Sequence, residues 1–431
     1  MTTSLNGHRI TAVACFDSFG KMGMTMLAAC RKAGADTNMV LLDVQGRTLS
    51  RRQRVEVQRI DPKTKITRHA WSSRGKLFQS QLQSSDAVIL GLDGKRSRDT
   101  LILLQTLWAN QAKRPLLVSA YPGILFRHQV EGMLDRAGVD LLCLNSPADL
   151  EMYTTGCEGL NLDSANAIVT GLPILWDLHP RKQAPSEGSL LLFEQPSVPS
   201  NPLQRQYICQ QLEILARKWP DRSVIFKPRT SSVERTLHRH HGEMTRVIKR
   251  LSRNTPNLMI SLKPASQLLK HCSCAITVSS TAALEAMAMG ISTRIVADLG
   301  LNETLGNHYF ASSGALAEFE SIHADPFSIK HRTGWLTGHG WQSDGKNIFV
   351  NKLATTLAFR DKSHFVEKVC TKSWGSHCWQ AFALANGGAG MLSSGGMQST
   401  KQKRHRTRSI LRQLRDYLVG ISWFEKVLRG R

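Results

Sequence analysis

One stretch constrains the fold more than any other: residues 275–297 read strand, hydroxyl turn, helix, glycine stop, strand. Ile276 and Val278 close a β-branched run, and Ser279, Ser280 and Thr281 follow. An Ala-, Leu- and Met-rich helical stretch then runs to Gly290, before Ile295 and Val296 open a second β-branched run. This is one βαβ unit, and it commits the chain to a parallel sheet with a crossover helix. A helix that opens directly after a strand offers free N–H groups and a positive dipole end, both suited to a phosphate. Serine and threonine hydroxyls there add hydrogen bonds. Capping of the helix by Ser280 is the plain alternative for the same residues.

The alternation recurs on both sides. Apolar runs at 8–16, 40–42, 87–91, 115–119, 141–144 and 167–169 are separated by helical patterns. A polar stretch at 177–188, broken by Pro180 and Pro185, reads as a linker. The pattern restarts at 189–193, 223–226 and 258–260. The expected fold class is α/β, with two Rossmann-like, doubly wound parallel-sheet domains at 1–178 and 188–330 and a cleft between them. The first unit lacks the Gly-x-Gly-x-x-Gly fingerprint, so no bound dinucleotide is expected. Residues 331–384 read as a helical extension, with a helical region at 361–383, and 385–431 as a flexible linker followed by a basic amphipathic tail.

Charge adds a partner class. The net charge is +23, and two segments, 47–76 and 401–431, each hold ten Lys/Arg against two acids. Such clusters call for a polyanion, whether anionic lipid, nucleic acid or an acidic glycan. No helix-turn-helix, RNP or zinc-finger pattern is present, so nucleic acid is not the expected partner. The tail, with Ile410, Leu411, Leu414, Leu418 and Trp423 among its basic residues, suits an anionic membrane surface or packing on the protein's own body. No run of about 18 apolar residues and no secretory leader is evident. The nine cysteines lack metal-ligand spacing, and Cys272 and Cys274 read as small buried hydrophobes. A cytoplasmic protein, peripheral at most on the inner face of the membrane, is the expectation.

Ligands of facing α/β domains bind at the carboxyl ends of the strands. Polar residues at those ends are the candidates: Gln195, Lys227, Arg229, Ser279, Ser280 and Thr281 from the second domain, and Asp17, Ser18, Lys21, Tyr121 and Asn145 from the first. Two cations, hydroxyls and a helix N-terminus stabilise a departing phosphate as charge develops on it. The run 238–241 is rich in histidine, and His238 and His241 are candidates for hydrogen bonding to a phosphate or acceptor. No second ligand cluster accompanies them, so a metal is not expected.

The segments Leu192-Phe193-Glu194-Gln195-Pro196, Phe226-Lys227-Pro228-Arg229 and 278–290 resemble a family of bacterial glycosyltransferases, as do Asp17-Ser18-Phe19-Gly20-Lys21, Tyr121-Pro122-Gly123 and Thr170-Gly171-Leu172-Pro173. The likeness spans roughly 8–320 and is distantly similar to sialyltransferases, polysialyltransferases and Kdo transferases of the GT-B fold. It implies a GT-B glycosyltransferase that takes a nucleotide-sugar donor as substrate, with no cofactor, and a glycan or lipid-linked acceptor in cell-surface polysaccharide synthesis. The first domain would then serve the acceptor and the second the donor. Those relatives hold a CMP-sugar through a His-Pro and a Ser-Ser element; only Ser279-Ser280 stands here, so the nucleotide is left open. No Asp-x-Asp occurs, which implies metal-independent chemistry. The resemblance makes Asp17 the candidate general base and lets Glu285 bind the ribose, with capping and structural roles as their alternatives. A nucleotide-sugar epimerase or hydrolase of the same fold is the competing enzyme class.

Overall fold

A computed structural model describes residues 4–362 apart from 45–48, 81, 109–112, 127–128, 161, 182–184, 186, 230–242, 329–330 and 333, with 361–362 as backbone only. The expected helical region at 361–383, beyond the two residues that end a helix, and the tail at 385–431 lie outside these residues.

The first sheet has seven strands: β1 (Arg9–Ala14), β2 (Asp36–Asp43), β3 (Lys65–Ala70), β4 (Ala87–Gly91), β5 (Leu116–Ala120), β6 (Leu141–Leu144) and β7 (Ala167–Val169). Their spatial order is β3-β2-β1-β4-β5-β6-β7. The second sheet holds β8 (Ser189–Phe193), β9 (Val224–Lys227), β10 (Leu258–Ile260), β11 (Cys272–Thr277), β12 (Ser292–Val296) and β13 (Leu316–Ala317), in the order β10-β9-β8-β11-β12-β13. The strands of both sheets pair in parallel, as at β1–β4 and β8–β11. Central strands such as β4, β5 and β8 are buried along their whole length, because helices cover both faces of a parallel sheet. Cys272 and Cys274 are buried free thiols on β11.

Two helices shape the cleft from the first domain. Helix α1 (Asp17–Lys32) follows β1, and α2 (Arg51–Ile60) packs against it. Ser50 and Gln53 start α2 with a reciprocal cap: the Gln53 N–H donates to Ser50 Oγ at 3.2 Å and the Ser50 N–H to Gln53 Oε1 at 2.9 Å. Both α2 and β3 fall in the stretch that charge alone had marked as a polyanion-binding segment. β3 is an edge strand, half-exposed and carrying Lys65 and Arg68, so it lacks the apolar signature of the central strands.

The chain passes between the domains twice. After β7 it crosses to the second domain, and a helix at Gly345–Lys362 returns to the core of the first, burying Phe349, Leu353 and Leu357 with Ile10, Met26 and Met39. The two crossings touch: Leu172 N–H donates to the Gly340 carbonyl at 2.7 Å, and a Cβ on Gly345 would collide with the Thr170 carbonyl. Trp176 stacks on Phe349 at 5.6 Å between centroids and donates its indole N–H to Thr170 O at 2.8 Å. Phe349 is fully buried, so Phe349→Ala should cost about 3–5 kcal/mol of stability in chemical denaturation. A loss under about 1 kcal/mol would mean the returning helix does not anchor the first domain.

Candidate functional site

In each sheet the strand order reverses beside its first strand, at β1/β4 and β8/β11. Crevices form at such switch points, outside the carboxyl ends of the strands. The two crevices face each other. Between them lies a cavity of about 480 Å³, lined from the first domain by Phe16, Asp17, Ser18 and Gln53 and from the second by Arg229, Ser280, Thr281 and the loop 303–306. Phe16 joins β1 to α1 with φ 65° and ψ 159°, a region costing a non-glycine residue about 1–3 kcal/mol. Arg96 lies over its ring at 5.1 Å. This conformation sets the direction in which Asp17 leaves the strand. Across the cavity, Gly306 adopts φ +71°, and a Cβ there would sit 2.9 Å from Phe126 of the first domain. A side chain there would be strained by the positive φ and would displace the Phe126 ring.

A chain of charges runs behind the cavity. Lys21 Nζ donates to Asp17 Oδ2 at 3.1 Å and to Glu56 Oε2 at 2.6 Å. Arg52 Nη1 donates to Glu56 Oε1 at 2.6 Å and reaches the second domain at Leu262 O, 3.4 Å away. Arg229 Nη2 stands 3.9 Å from Asp17 Oδ2 across the cleft, and Asp17 Oδ1 is buried with no hydrogen-bond partner. Burial lowers the Lys227 ammonium to about 8, helped by Arg52, Arg229 and Lys21 and opposed by Glu56. Burial raises the Glu285 carboxyl to about 7 against the pull of Lys21, Arg229 and Lys227. Burial also raises Glu194 to about 7, opposed first by Arg205 at 3.6 Å. Lys21, Lys227 and Arg229, drawn from both domains, thus converge on one region.

The candidate residues take distinct places. Ser18, Ser280 and Thr281 line the cavity with Asp17 and Arg229, whereas Lys21 and Lys227 stand behind its wall. Ser279 is buried; Gln195 Oε1 accepts its N–H at 2.9 Å, and its hydroxyl lies against Gln195 Oε1 and the Leu305 carbonyl. Gln195 and Ser279 therefore tie β8, β11 and the 303–306 loop into one wall. Ser280 Oγ accepts the Ala282 N–H at 3.2 Å, holding the first N–H of the helix while facing the cavity, and the N-cap position itself falls to Thr281. That helix, Ala282–Ala288, is only seven residues long, so its dipole is shorter than the sequence pattern suggests. The Tyr121 hydroxyl accepts from Arg136 at 2.8 Å, beneath a guanidinium 4.1 Å from the ring, and burial raises it to about 12. Asn145 Nδ2 donates to Gly123 O at 2.8 Å. Arg136, through Tyr121, and Asn145, through Gly123, thus hold the 121–123 loop. His238 and His241 lie outside the described residues. Among the described residues, no group of three or more His, Cys, Asp and Glu side chains is placed to hold a metal ion.

Several site residues carried no strand-end signal. Gln53, Arg52 and Glu56 come from α2, and the Ser50-x-x-Gln53 capping box was their one sequence mark. The loop 303–306 is fixed by two asparagines. Asn307 Nδ2 donates to Gly300 O at 2.7 Å, and Asn302 Oδ1 accepts from the Leu305 N–H at 2.9 Å. Glu194 lines the cavity beside Gln195, buried against Arg205, whose Nη2 donates to Pro196 O at 2.6 Å.

The family described as "Putative glycosyltransferase (DUF6716)" matches residues 10–356, which include every cavity-lining residue. The chain belongs to that family. No curated protein matches it. Among solved structures, the S. aureus MnaA–UDP complex is similar at 11% identity and TM-score 0.54, covering 81% of this chain and 97% of that one. The UDP-GlcNAc 2-epimerase from Neisseria meningitidis, bound to UDP-GlcNAc, is similar at 10% identity and TM-score 0.50, covering 82% and 100%. At such identities the likeness establishes the fold, which is that of GT-B glycosyltransferases and related epimerases: two facing Rossmann-like domains.

Glu285 gives this family member's cleft a pH signature. Its folded-state carboxyl titrates near 7 against an ordinary 4.5, so the native state holds the proton longer than the unfolded chain. That stabilising contribution is complete below about 4.5 and is lost as pH rises through about 7. The stability of Glu285→Gln relative to wild type should therefore increase between pH 5 and pH 8 in thermal denaturation. A difference independent of pH would remove Glu285 from the buried cluster.

Proposed function

We propose that this protein transfers a sugar from a nucleotide-sugar donor to a hydroxyl of a glycan or lipid-linked acceptor, as a step in building a surface polysaccharide. The observation that carries this reading is the meeting of Asp17 and Arg229, from opposite domains, at one cavity. Asp17 is the general base. It takes the acceptor hydroxyl's proton as the oxygen bonds to the anomeric carbon and the bond from that carbon to the donor's phosphate oxygen breaks. The leaving nucleotide carries away the electron pair. Arg229 and the Ser280 and Thr281 hydroxyls meet the departing phosphate, and Lys21 and Lys227 supply positive potential behind them. Charge stabilisation is thereby assigned to the protein's own cations rather than to a metal. The nucleotide base belongs on the second-domain side, against the 195–198 and 303–306 segments.

UDP and UDP-GlcNAc complexes of proteins with this fold support a nucleotide sugar as ligand. The same neighbours motivate a second reading, a nucleotide-sugar epimerase, in which donor would be converted without acceptor. Asp17→Asn should lower the transfer rate by about a hundredfold or more while nucleotide affinity stays within about threefold. Equal loss of both would take Asp17 out of the base role. Turnover of donor alone at the rate seen with acceptor present would favour the epimerase.

A further inference from the structure

A second feature of the cleft lies on its outer rim. Between 51 and 68 the chain carries seven Lys/Arg against Glu56 and Asp61. Both acids are already engaged within the fold: Glu56 with Lys21 and Arg52, and Asp61 with Arg31, at side-chain exposures of 7% and 0%. Arg51 and Arg59, exposed on α2, form no ion pair among the described residues. They flank a groove of about 310 Å³ that α2 forms with Pro264 of the second domain, and Val55 lies between them. The two domains are joined there by the Arg52–Leu262 hydrogen bond.

The rim is also apolar. Nine large apolar side chains are exposed among the described residues, and four of them come from these two short segments: Val55 and Ile60 of α2, and Met259 and Leu262 beside Lys263. A soluble polyanion such as heparin is held chiefly by charge and gains little from exposed aliphatic side chains. A bilayer surface rewards both, since cations meet anionic headgroups while apolar side chains enter the acyl boundary. This combination favours the bilayer.

We propose that the rim formed by α2 and the segment from β10 to Pro264 docks on an anionic membrane surface. Lys21 and Asp17 lie one layer behind α2, tied to it through Glu56. The surface is separate in sequence from the basic segment at 401–431, and the proposal stands or falls without reference to the transfer reaction.

The test uses the full-length chain and sedimentation with vesicles of phosphatidylcholine alone or mixed with phosphatidylglycerol, with heparin as a soluble polyanion and melting curves to confirm folding. Wild type should bind the anionic vesicles. Arg51→Glu/Arg59→Glu should weaken that binding roughly tenfold or more. Lys95→Glu/Lys113→Glu, the same charge change elsewhere on the first domain, should leave it unchanged. Val55→Gln, which removes the apolar side chain without changing charge, should weaken vesicle binding while sparing heparin. Absence of vesicle binding by wild type, or equal effects of the two double variants, would overturn the proposal. Vesicle binding indifferent to Val55→Gln would overturn it as well, and would assign the rim to a soluble polyanion.

Discussion

A lysine held between two carboxylates organises the cleft. Lys21 bridges Asp17, at the end of β1, and Glu56, on α2, and Arg52 closes the other side of Glu56 before reaching Leu262. Buried charges are stable only when paired, so this chain fixes α1, α2 and the edge of the second domain relative to one another. Asp17 is thereby left with one oxygen bound to Lys21 and one without a partner. Arg229 faces it at a distance too long for a direct hydrogen bond. A carboxylate and a guanidinium are thus kept apart across one cavity.

The remaining architecture holds those two groups in place. Phe16 spends backbone strain to turn Asp17 out of β1, and the core beneath α1 sustains it. On the other side, Gln195 and Ser279 lock β8 to β11, and Glu194 with Arg205 stiffens the loop leading to Pro196. The returning helix at Gly345–Lys362 buries Phe349 against Trp176, so the two crossings form a compact junction rather than a loose tether. Gly306 and Phe126 bring the loops of the two domains into contact at the cavity's edge. Apolar packing sets the frame, and a short series of ion pairs sets the site.

Much of this was legible in the sequence, for physical reasons. Central parallel strands are buried on both faces and announce themselves as apolar runs, so the two-domain α/β architecture and the strand-end positions of Asp17, Arg229 and Ser280 could be read directly. Edge strands and amphipathic helices announce themselves poorly. β3 and α2 were hidden by their own charge, and Gln53 and Glu56 with them. Spacing could place Ser279, Tyr121 and Asn145 near the cleft. It could not show that their polar atoms are spent on Leu305, Arg136 and Gly123, since those partners lie 15 to 26 residues away in sequence. The mixed character of the 47–76 stretch, part internal ion pairs and part exposed rim, is likewise visible only in three dimensions.

The central claim is that the cavity between Asp17 and Arg229 holds a nucleotide. The most direct measurement is the melting temperature of wild type and of Ser280→Trp, which fills the cavity from the second domain, titrated with CMP, UDP, GDP and ADP. A ligand that binds only the native state raises the melting temperature with concentration. The account predicts a concentration-dependent rise with at least one nucleotide in wild type and its loss in Ser280→Trp, with both proteins folded. A rise of the same size in the two proteins, or none with any nucleotide, would contradict it.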